Sequence, residues 1–256
     1  MAKTHSPLDR IRDARALRRW RRQANTAEST PLAQLRPQLE AARQLRAALD
    51  DHIHVSENRL ALPRIGSDAF FRPDDADWSW RPEINRGPLP KPGISGVQTR
   101  TKLGEELTLF HDCPLRELTL RQVRNRREED LAPFGLRLEV FKFEGSFLSI
   151  VLDLPKEAAE GLKKRHLIRF DTLVQTESPI EIFARLNVQH GPNCEQIVRE
   201  LPQGSGDSTV EFDLGYTEFS EKRSERLWLD LIFDNPEMNQ ITVRDMTFSR
   251  CPRAEM

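Results

Sequence analysis

The stretch Pro179-Ile-Glu-Ile-Phe-Ala-Arg-Leu-Asn-Val-Gln-His-Gly191 alternates between apolar and polar side chains. Side chains on a β-strand point alternately to opposite faces, so this alternation predicts a long strand with one face in an apolar core. The apolar face holds Ile180, Ile182, Ala184, Leu186 and Val188. The other face carries Glu181, Phe183, Arg185, Asn187 and Gln189. The strand raises one functional question: its polar face either binds a ligand or only contacts solvent.

Eight further segments after about Gln98 share the two-residue period. They are Glu105–His111, Arg116–Val123, Leu136–Phe143, Phe147–Leu154, His166–Val174, Thr209–Leu214, Arg226–Phe233 and Gln240–Ser249. Turn signals separate them, for example Gly204-Ser205-Gly206 and Asn235-Pro236. About nine short strands without alternating long helices predict a mainly β fold. We expect an antiparallel jelly-roll β-sandwich over residues 98–256.

In two of these segments the apolar side chains switch midway from one set of alternate positions to the other, which predicts a β-bulge in each. In the last one, the apolar positions shift from Ile241 and Val243 to Met246 and Phe248. The segment at 136–143 shows a similar shift, from Val140 to Phe141. Between strands, residues 156–164 suggest one short helical turn.

The first 54 residues predict a basic α-helical hairpin. Ser6-Pro7 and Thr30-Pro31 each resemble a helix start, and apolar residues three and four apart follow each of them. Residues 1–48 hold eleven Lys and Arg against four Asp and Glu, a net charge of +7, while the rest of the chain carries −8. This asymmetry suggests docking on nucleic acid, lipid headgroups, another protein or the chain's own acidic body; the alternative is a solvated helix face. The candidate contacts are Arg15, Arg18, Arg19, Arg21 and Arg22.

Residues 55–97 read as an irregular, extended connector because prolines and glycines interrupt them repeatedly. Arg59–Pro63 suggests a short strand at its start. Trp78 and Trp80 are two residues apart and therefore lie on one side of an extended chain. We expect them to pin the connector to the sandwich; an aromatic platform for a flat ligand such as a sugar ring is the alternative.

The outward-facing positions of the predicted strands collect polar and aromatic side chains. They are Arg169, Asp171, Phe183, Arg185, Asn187, Glu211, Asp213, Trp228 and Asp230. If the strands bring them together on one sheet, they combine planar hydrogen-bonding groups for hydroxyls with a ring face for the apolar side of a sugar. The alternative is a solvated face of opposite-charge cross-strand pairs, each contributing about 0.2–1 kcal/mol. Trp228 favours binding, since an indole on a purely solvated face exposes apolar area.

Glu211 and Asp213 also allow an enzymatic interpretation. Residues i and i+2 on a strand lie roughly 6.6 Å apart at Cα, and retaining glycosidases need two carboxyl groups about 5–5.5 Å apart. The third carboxylate of that motif is missing, because position 216 is Tyr216. We therefore favour a non-catalytic binding or interaction module that recognises a glycan or a protein surface. A glycan-processing hydrolase, and a nucleic-acid or membrane-surface binder acting through the N-terminal arginines, are the alternatives.

No motif indicates a metal or a cofactor. Cys113, Cys194 and Cys251 are widely spaced, and CxxC, HxxxH, GxGxxG and P-loop patterns do not occur. The odd number of cysteines fits a reducing compartment. The N-terminus lacks an apolar signal region, and no apolar run is long enough to span a bilayer. The sequence therefore predicts a cytoplasmic protein.

Three segments resemble an uncharacterised bacterial family of unknown function. They are Leu109–Leu115, Ala184–Asn193 and Met238–Arg250. The resemblance covers most of the chain and implies no activity and no functional residue. The closing strand Ile241–Phe248 is similar to the final strand of galactose-binding-like and carbohydrate-binding jelly rolls, which implies the same sandwich fold for the C-terminal part.

Overall fold

The computed structural model describes residues 7–61, 70–202 and 206–253. The chain divides into two compact units, Met1–Ser56 and Glu57–Met256. Three parts of the sequence predictions lie outside the described residues: Ser6 at the first helix start, Leu62-Pro63 of the suggested short strand, and Gly204-Ser205 of one predicted turn.

Two helices make up the described N-terminal region, as the sequence predicts, while their pairing as a hairpin stays a prediction. Helix α1 is Pro7–Thr26 and helix α2 is Leu32–Ala61, with a one-turn 3-10 helix at Ala27–Ser29 between them. The short strand predicted from Arg59 is wrong for its described residues, which continue α2. The reason is that neither glycine nor proline occurs between Pro37 and Pro63, so nothing in this stretch stops a helix.

The described part of the second unit holds thirteen strands, two further short α-helices and two one-turn 3-10 helices, Leu214–Tyr216 and Glu221–Arg223. The strands are β1 Trp78–Trp80, β2 Gly93–Ser95, β3 Thr101–Leu103, β4 Leu107–His111, β5 Leu118–Arg124, β6 Phe134–Val140, β7 Leu148–Asp153, β8 His166–Thr176, β9 Ile182–His190, β10 Asn193–Glu200, β11 Gly206–Asp213, β12 Ser224–Phe233 and β13 Asn239–Pro252. The α-helices are α3 Glu83–Arg86 and α4 Lys156–Ala159. All nine predicted strands are present, and α4 is the predicted helical turn.

The strands form two antiparallel sheets that face each other across one apolar core. Sheet A has the order β11-β8-β13-β6-β5-β2, and β1 also pairs with β13. Sheet B has the order β10-β9-β12-β7-β4-β3. The architecture is the predicted antiparallel jelly-roll β-sandwich, because the chain crosses repeatedly between two sheets whose inner faces share one core.

The predicted inner positions of the strands are the buried ones. In β9, Ala184, Leu186 and Val188 are fully buried, and Phe170 of β8 packs against Phe248 of β13 with ring centroids 4.8 Å apart. Each of these strands buries every second side chain, and this fixes its register, since a slip by one residue would expose all of these side chains. The polar parity of each strand consequently faces outward.

One of the two predicted bulges is confirmed. The pairing of β13 with β8 shifts register between Val243 and Asp245, where the parity change occurs. The bulge predicted between Val140 and Phe141 is wrong. Strand β6 ends at Val140, and Phe141 is exposed, so the parity change there marks the end of the strand.

Residues 78–97 of the predicted connector are part of the sandwich, which corrects the expectation of an irregular linker over this stretch. Ile84, Leu89 and Val97 are buried in the core. Trp78 and Trp80 lie on β1, pair with β13 and pack against the core, so they pin this segment as predicted. The prolines break it into short elements without keeping it out of the core.

His166 gives the fold a pH dependence that can be measured. Burial lowers the pKa of this side chain below 6.5. A depressed histidine pKa means that the folded state binds its proton less tightly than the unfolded state, so stability falls as the pH drops through 6.5. We expect His166→Gln to flatten the decline of the thermal midpoint between about pH 7 and 5. An unchanged slope in thermal scans across that range would contradict this assignment.

Candidate ligand-binding site

The nine predicted ligand-binding residues lie on two different sheets. Those of β8 and β11 are on sheet A: Arg169, Asp171, Glu211 and Asp213. Those of β9 and β12 are on sheet B: Phe183, Arg185, Asn187, Trp228 and Asp230. The single continuous band that the sequence suggested is therefore wrong, because β8 and β11 pair with each other in sheet A while β9 and β12 pair with each other in sheet B.

On sheet A, Arg169 and Asp171 bond to each other. The Nε atom of Arg169 donates to both carboxylate oxygens of Asp171, at 2.9 and 3.0 Å, and the Thr209 hydroxyl donates to Asp171 at 2.6 Å. The Arg169 guanidinium lies over the ring of Phe71, 5.2 Å from its centroid. Glu211 is directly opposite Arg169 on the neighbouring strand. Arg169 and Asp171 thus form an ion pair along β8 with a cross-strand bond to Thr209 of β11, and they line a depression of about 310 Å³.

On sheet B the predicted residues come together in adjacent cross-strand rows. One row runs across four strands: Gln196, Asn187, Trp228 and Asp153. The next runs parallel to it: Val198, Arg185, Asp230 and Val151. Directly opposite residues point to the same face, and the inner face of this sheet is filled by leucines and valines. Both rows therefore lie on the outer face of sheet B.

Asp230 is the electrostatic centre of these rows. It is buried, and its Oδ2 atom lies 2.7 Å from Nε and 2.6 Å from Nη2 of Arg185. The side-chain amide of Asn187 donates to the same oxygen at 3.1 Å. The three donors hold one carboxylate oxygen. Among the described residues nothing donates to the other, Oδ1, which can therefore accept a bond from a ligand hydroxyl.

Asn187 supplies a second acceptor. The residue is 1% exposed, and its Oδ1 atom has no hydrogen-bond partner within the described residues. A buried amide oxygen without a partner costs about 1–3 kcal/mol, which a ligand hydroxyl would recover by displacing the side chains that close this oxygen off from solvent. Its amide nitrogen is held by Arg185 O at 3.1 Å and by Asp230, so the orientation of the oxygen is fixed.

These groups line a groove of about 420 Å³ on the outer face of sheet B. We call it the sheet B groove, and it is lined by Phe110, Phe147, Ser149, Val151, Arg185, Asn187, Gln196, Trp228, Asp230 and Ile232. Phe147 is 44% exposed, and the Arg226 guanidinium lies over the Trp228 ring, 4.9 Å from its centroid. The groove thus combines aromatic surfaces with a few fixed polar atoms, which is typical of small-molecule sites. Phe183 is opposite Ile232, one row further along the sheet, and does not line the sheet B groove.

The charges of the groove cancel. Arg185 and Asp230 form an ion pair, and the other lining residues are uncharged at neutral pH. Next to it, Arg226 and Asp153 form a second pair. A ligand with a net charge gains little from such a surface, whereas a neutral ligand rich in hydroxyls meets acceptors and donors without paying for an unpaired ion.

The carboxylates proposed for hydrolysis do not share this groove. Asp213 ends β11, where one oxygen accepts from the Gly215 N–H at 2.8 Å and the other lies 3.5 Å from Arg253. Glu211 is exposed on sheet A. Asp213 therefore caps a turn, a role that the two-residue spacing alone did not reveal.

Six of the ten groove residues were not predicted from the sequence. Gln196 lies on β10, a strand that was not predicted, and the other five lie in predicted strand segments but were not assigned to the site: Phe110, Phe147, Ser149, Val151 and Ile232. The outward parity of those strands was readable from the sequence. Their place beside β9 and β12 was not, because strand order cannot be read from periodicity.

The N-terminal arginines occupy one exposed helix. Arg15, Arg18, Arg19, Arg21 and Arg22 are all exposed on α1. Arg19 lies over the ring of Trp20, 5.1 Å from its centroid. Neither α1 nor α2, nor any other helix in the described ranges, is long and apolar enough to cross a membrane.

The sequence model of DUF6478, a family of unknown function, matches residues 1–256. The chain belongs to DUF6478. The resemblance to a family of unknown function that the three sequence segments indicated is thereby confirmed. No curated protein matches this DUF6478 chain.

Solved structures similar to this DUF6478 member include carbohydrate-binding modules. A family 11 module from Clostridium thermocellum in complex with a β-1,3-1,4-mixed-linked tetrasaccharide has 12% identity and a TM-score of 0.39, covering 62% of this chain and 96% of that one. A family 30 module has 10% identity and a TM-score of 0.39, covering 66% and 85%. The enzymatically active domain of tailspike protein 4 from bacteriophage CBA120 has 7% identity and a TM-score of 0.41. That match covers 56% of this chain and only 19% of the tailspike chain. At these scores the similarities assign no ligand to this chain.

Proposed function

We propose that this DUF6478 protein is a non-catalytic binding module whose sheet B groove holds a neutral glycan. The observation that carries the proposal is the arrangement around Asp230. A buried carboxylate held on one oxygen and a buried amide oxygen without a partner lie on two adjacent rows of one groove. Such acceptors, fixed in place before the ligand arrives, suit hydroxyl donors.

The aromatic residues of the groove support a sugar over other neutral ligands. Pyranose rings present hydroxyls at their edges and apolar C–H groups on their faces, so they need polar atoms beside aromatic ones. The groove offers Trp228 next to Asn187 in one row, and Phe110 and Phe147 among its other lining residues. Arg185 and Asp230 form an ion pair within the groove, so no unpaired charge is left to attract a uronic acid. The groove therefore favours neutral sugars.

A glycan-array screen of the full chain tests the proposal. We expect binding to a restricted set of neutral glycans, reduced at least about tenfold by Trp228→Ala because the aromatic surface is removed. The control is Phe141→Ala, which removes an exposed aromatic ring that does not line the groove. It should bind like the unmodified protein.

Three array results would overturn the proposal: no glycan bound, only charged glycans bound, or equal loss in both variants. If no glycan on the array binds, a protein surface becomes the next candidate ligand of the groove.

We further propose that α1 docks on a phosphate-bearing partner. Its five exposed arginines support this, since guanidinium groups bind phosphates through two hydrogen bonds at once. The probes are a labelled single-stranded oligonucleotide and phosphatidylserine vesicles. We expect affinity for at least one probe to fall steeply between about 50 and 200 mM salt, and to be lost when the five arginines become glutamine. Salt-independent binding, or no binding to either probe, would contradict this role.

A further inference from the structure

Helix α2 carries a row of apolar side chains at heptad spacing. The row occupies seven positions separated alternately by three and four residues: Leu32, Leu35, Leu39, Ala42, Arg46, Leu49 and Ile53. A spacing that averages 3.5 residues keeps such a row on one side of a helix and is the pattern of two-helix coiled coils. Six of the seven side chains are apolar, and Arg46 is the exception.

Much of this row is exposed to solvent. Leu32 is 79% exposed, and Leu39, Leu49 and Ile53 are each about half exposed. From Leu39 to Ile53 the row is about 21 Å long at the helical rise of 1.5 Å per residue. The exposed leucine and isoleucine side chains of this row are apolar surface that packing against another helix would remove from water.

Arg46 decides which partner orientation the row accepts. Two copies of α2 packed in parallel and in register would place Arg46 against Arg46 in the core of the contact. An antiparallel arrangement avoids this and places Arg46 beside Leu49 of the second copy. The Arg46 side chain is 83% exposed and bonds to Asp50 on its own helix, so its stem can cover a leucine while its charged end stays in water.

The charges flanking the row select one antiparallel register. Arg43 and Asp50 lie on the same flank, one residue after Ala42 and Leu49. When Arg46 is beside Leu49, Arg43 of each copy is beside Asp50 of the other, which gives two opposite-charge pairs. Sliding the helices by one heptad places Arg43 against Arg43 in one direction, where Arg36 meets Asp50, and Asp50 against Asp50 in the other. Only the register with Arg46 beside Leu49 leaves no like charges opposed on this flank.

We propose that the chain forms a homodimer through antiparallel pairing of its α2 helices. A second copy fits because its charges complement those of the first across the two-fold axis and because its own exposed row is covered in the same contact. The inference is independent of the sheet B groove, since it uses only residues of α2.

Sedimentation equilibrium of the full chain, from about 1 to about 100 µM, tests the dimer. We expect a monomer–dimer equilibrium whose dissociation constant rises about tenfold in Arg43→Glu, because two attractive pairs become repulsive. The double variant Arg43→Glu with Asp50→Arg should restore dimerisation, since the pairs are re-formed with reversed charges. The control, Glu40→Arg, reverses a charge on the far side of α2 and should leave the constant unchanged.

Leu49→Gln, checked for unchanged helix content by circular dichroism, should also weaken the dimer. Three results would overturn the proposal. The chain could be monomeric over the whole range, Arg43→Glu could have no effect on the dimer, or the double variant could fail to restore it.

Discussion

Arg81→Met should lower the free energy of unfolding by about 3–5 kcal/mol at neutral pH, because it removes one partner of a buried ion pair. The Arg81 side chain is 2% exposed and contacts Asp245 at 2.8 Å. Methionine keeps the apolar stem but leaves the Asp245 carboxylate without this opposite charge. The measurement is chemical denaturation of both proteins at a series of pH values.

The pH series separates a charge effect from a packing effect. Burial already raises the pKa of Asp245 above 3.8, and Arg81 opposes that rise. Without Arg81 the pKa rises further, so the carboxyl group takes up a proton at a higher pH in the folded state than in the unfolded state. The loss should therefore shrink as the pH falls from neutral toward about 4. A loss that is the same at every pH would show that packing, and not the charge, accounts for the effect.

Phe248→Ala should cost a similar amount, about 3–5 kcal/mol, by opening a cavity in the core. Phe248 is 1% exposed, and its ring lies 4.8 Å from that of Phe170 and 5.6 Å from that of Trp80. Denaturant unfolding measures the loss. The matched control is Phe141→Ala, at a half-exposed site, which should change stability by no more than about 0.5 kcal/mol.

Because Trp80 belongs to β1, the Phe248 variant also tests whether residues 70–97 are part of the sandwich. We expect amide hydrogen exchange in β1 to become faster in Phe248→Ala than in the control. An equal response of β1 in the two variants would contradict the packing described here.

The alternation of side chains predicted the fold well because burial acts on each strand separately. In β9 and β12, one apolar parity was enough to locate the strand and its inner face. Strand β10 gave no such signal, since an edge strand buries few side chains and needs few apolar residues. Strands β1, β2 and β3 are three residues each, too short for a period to be recognised.

Only part of the candidate site could be predicted. The alternation of side chains shows which residues of a strand face outward, but it does not show to which sheet the strand belongs. Arg169 and Arg185 both occupy outward positions, and both pair with an aspartate. Strand order places Arg185 in the sheet B groove and Arg169 on the opposite side of the sandwich. Asp213 shows the same limit, since its carboxylate was proposed for catalysis and caps a turn in the structure.

The most direct test of the sheet B groove is a calorimetric titration with the neutral oligosaccharide that gives the strongest array signal. It compares two matched variants, Arg185→Ala and Arg169→Ala, which each remove one guanidinium from an arginine–aspartate pair on an outer sheet face. We expect Arg185→Ala to weaken binding at least about tenfold, or about 1.4 kcal/mol, because Asp230 and Asn187 lose their fixed positions. Arg169→Ala should bind like the unmodified protein. Equal affinity of both variants, or a loss confined to Arg169→Ala, would contradict the assignment of the ligand to this groove.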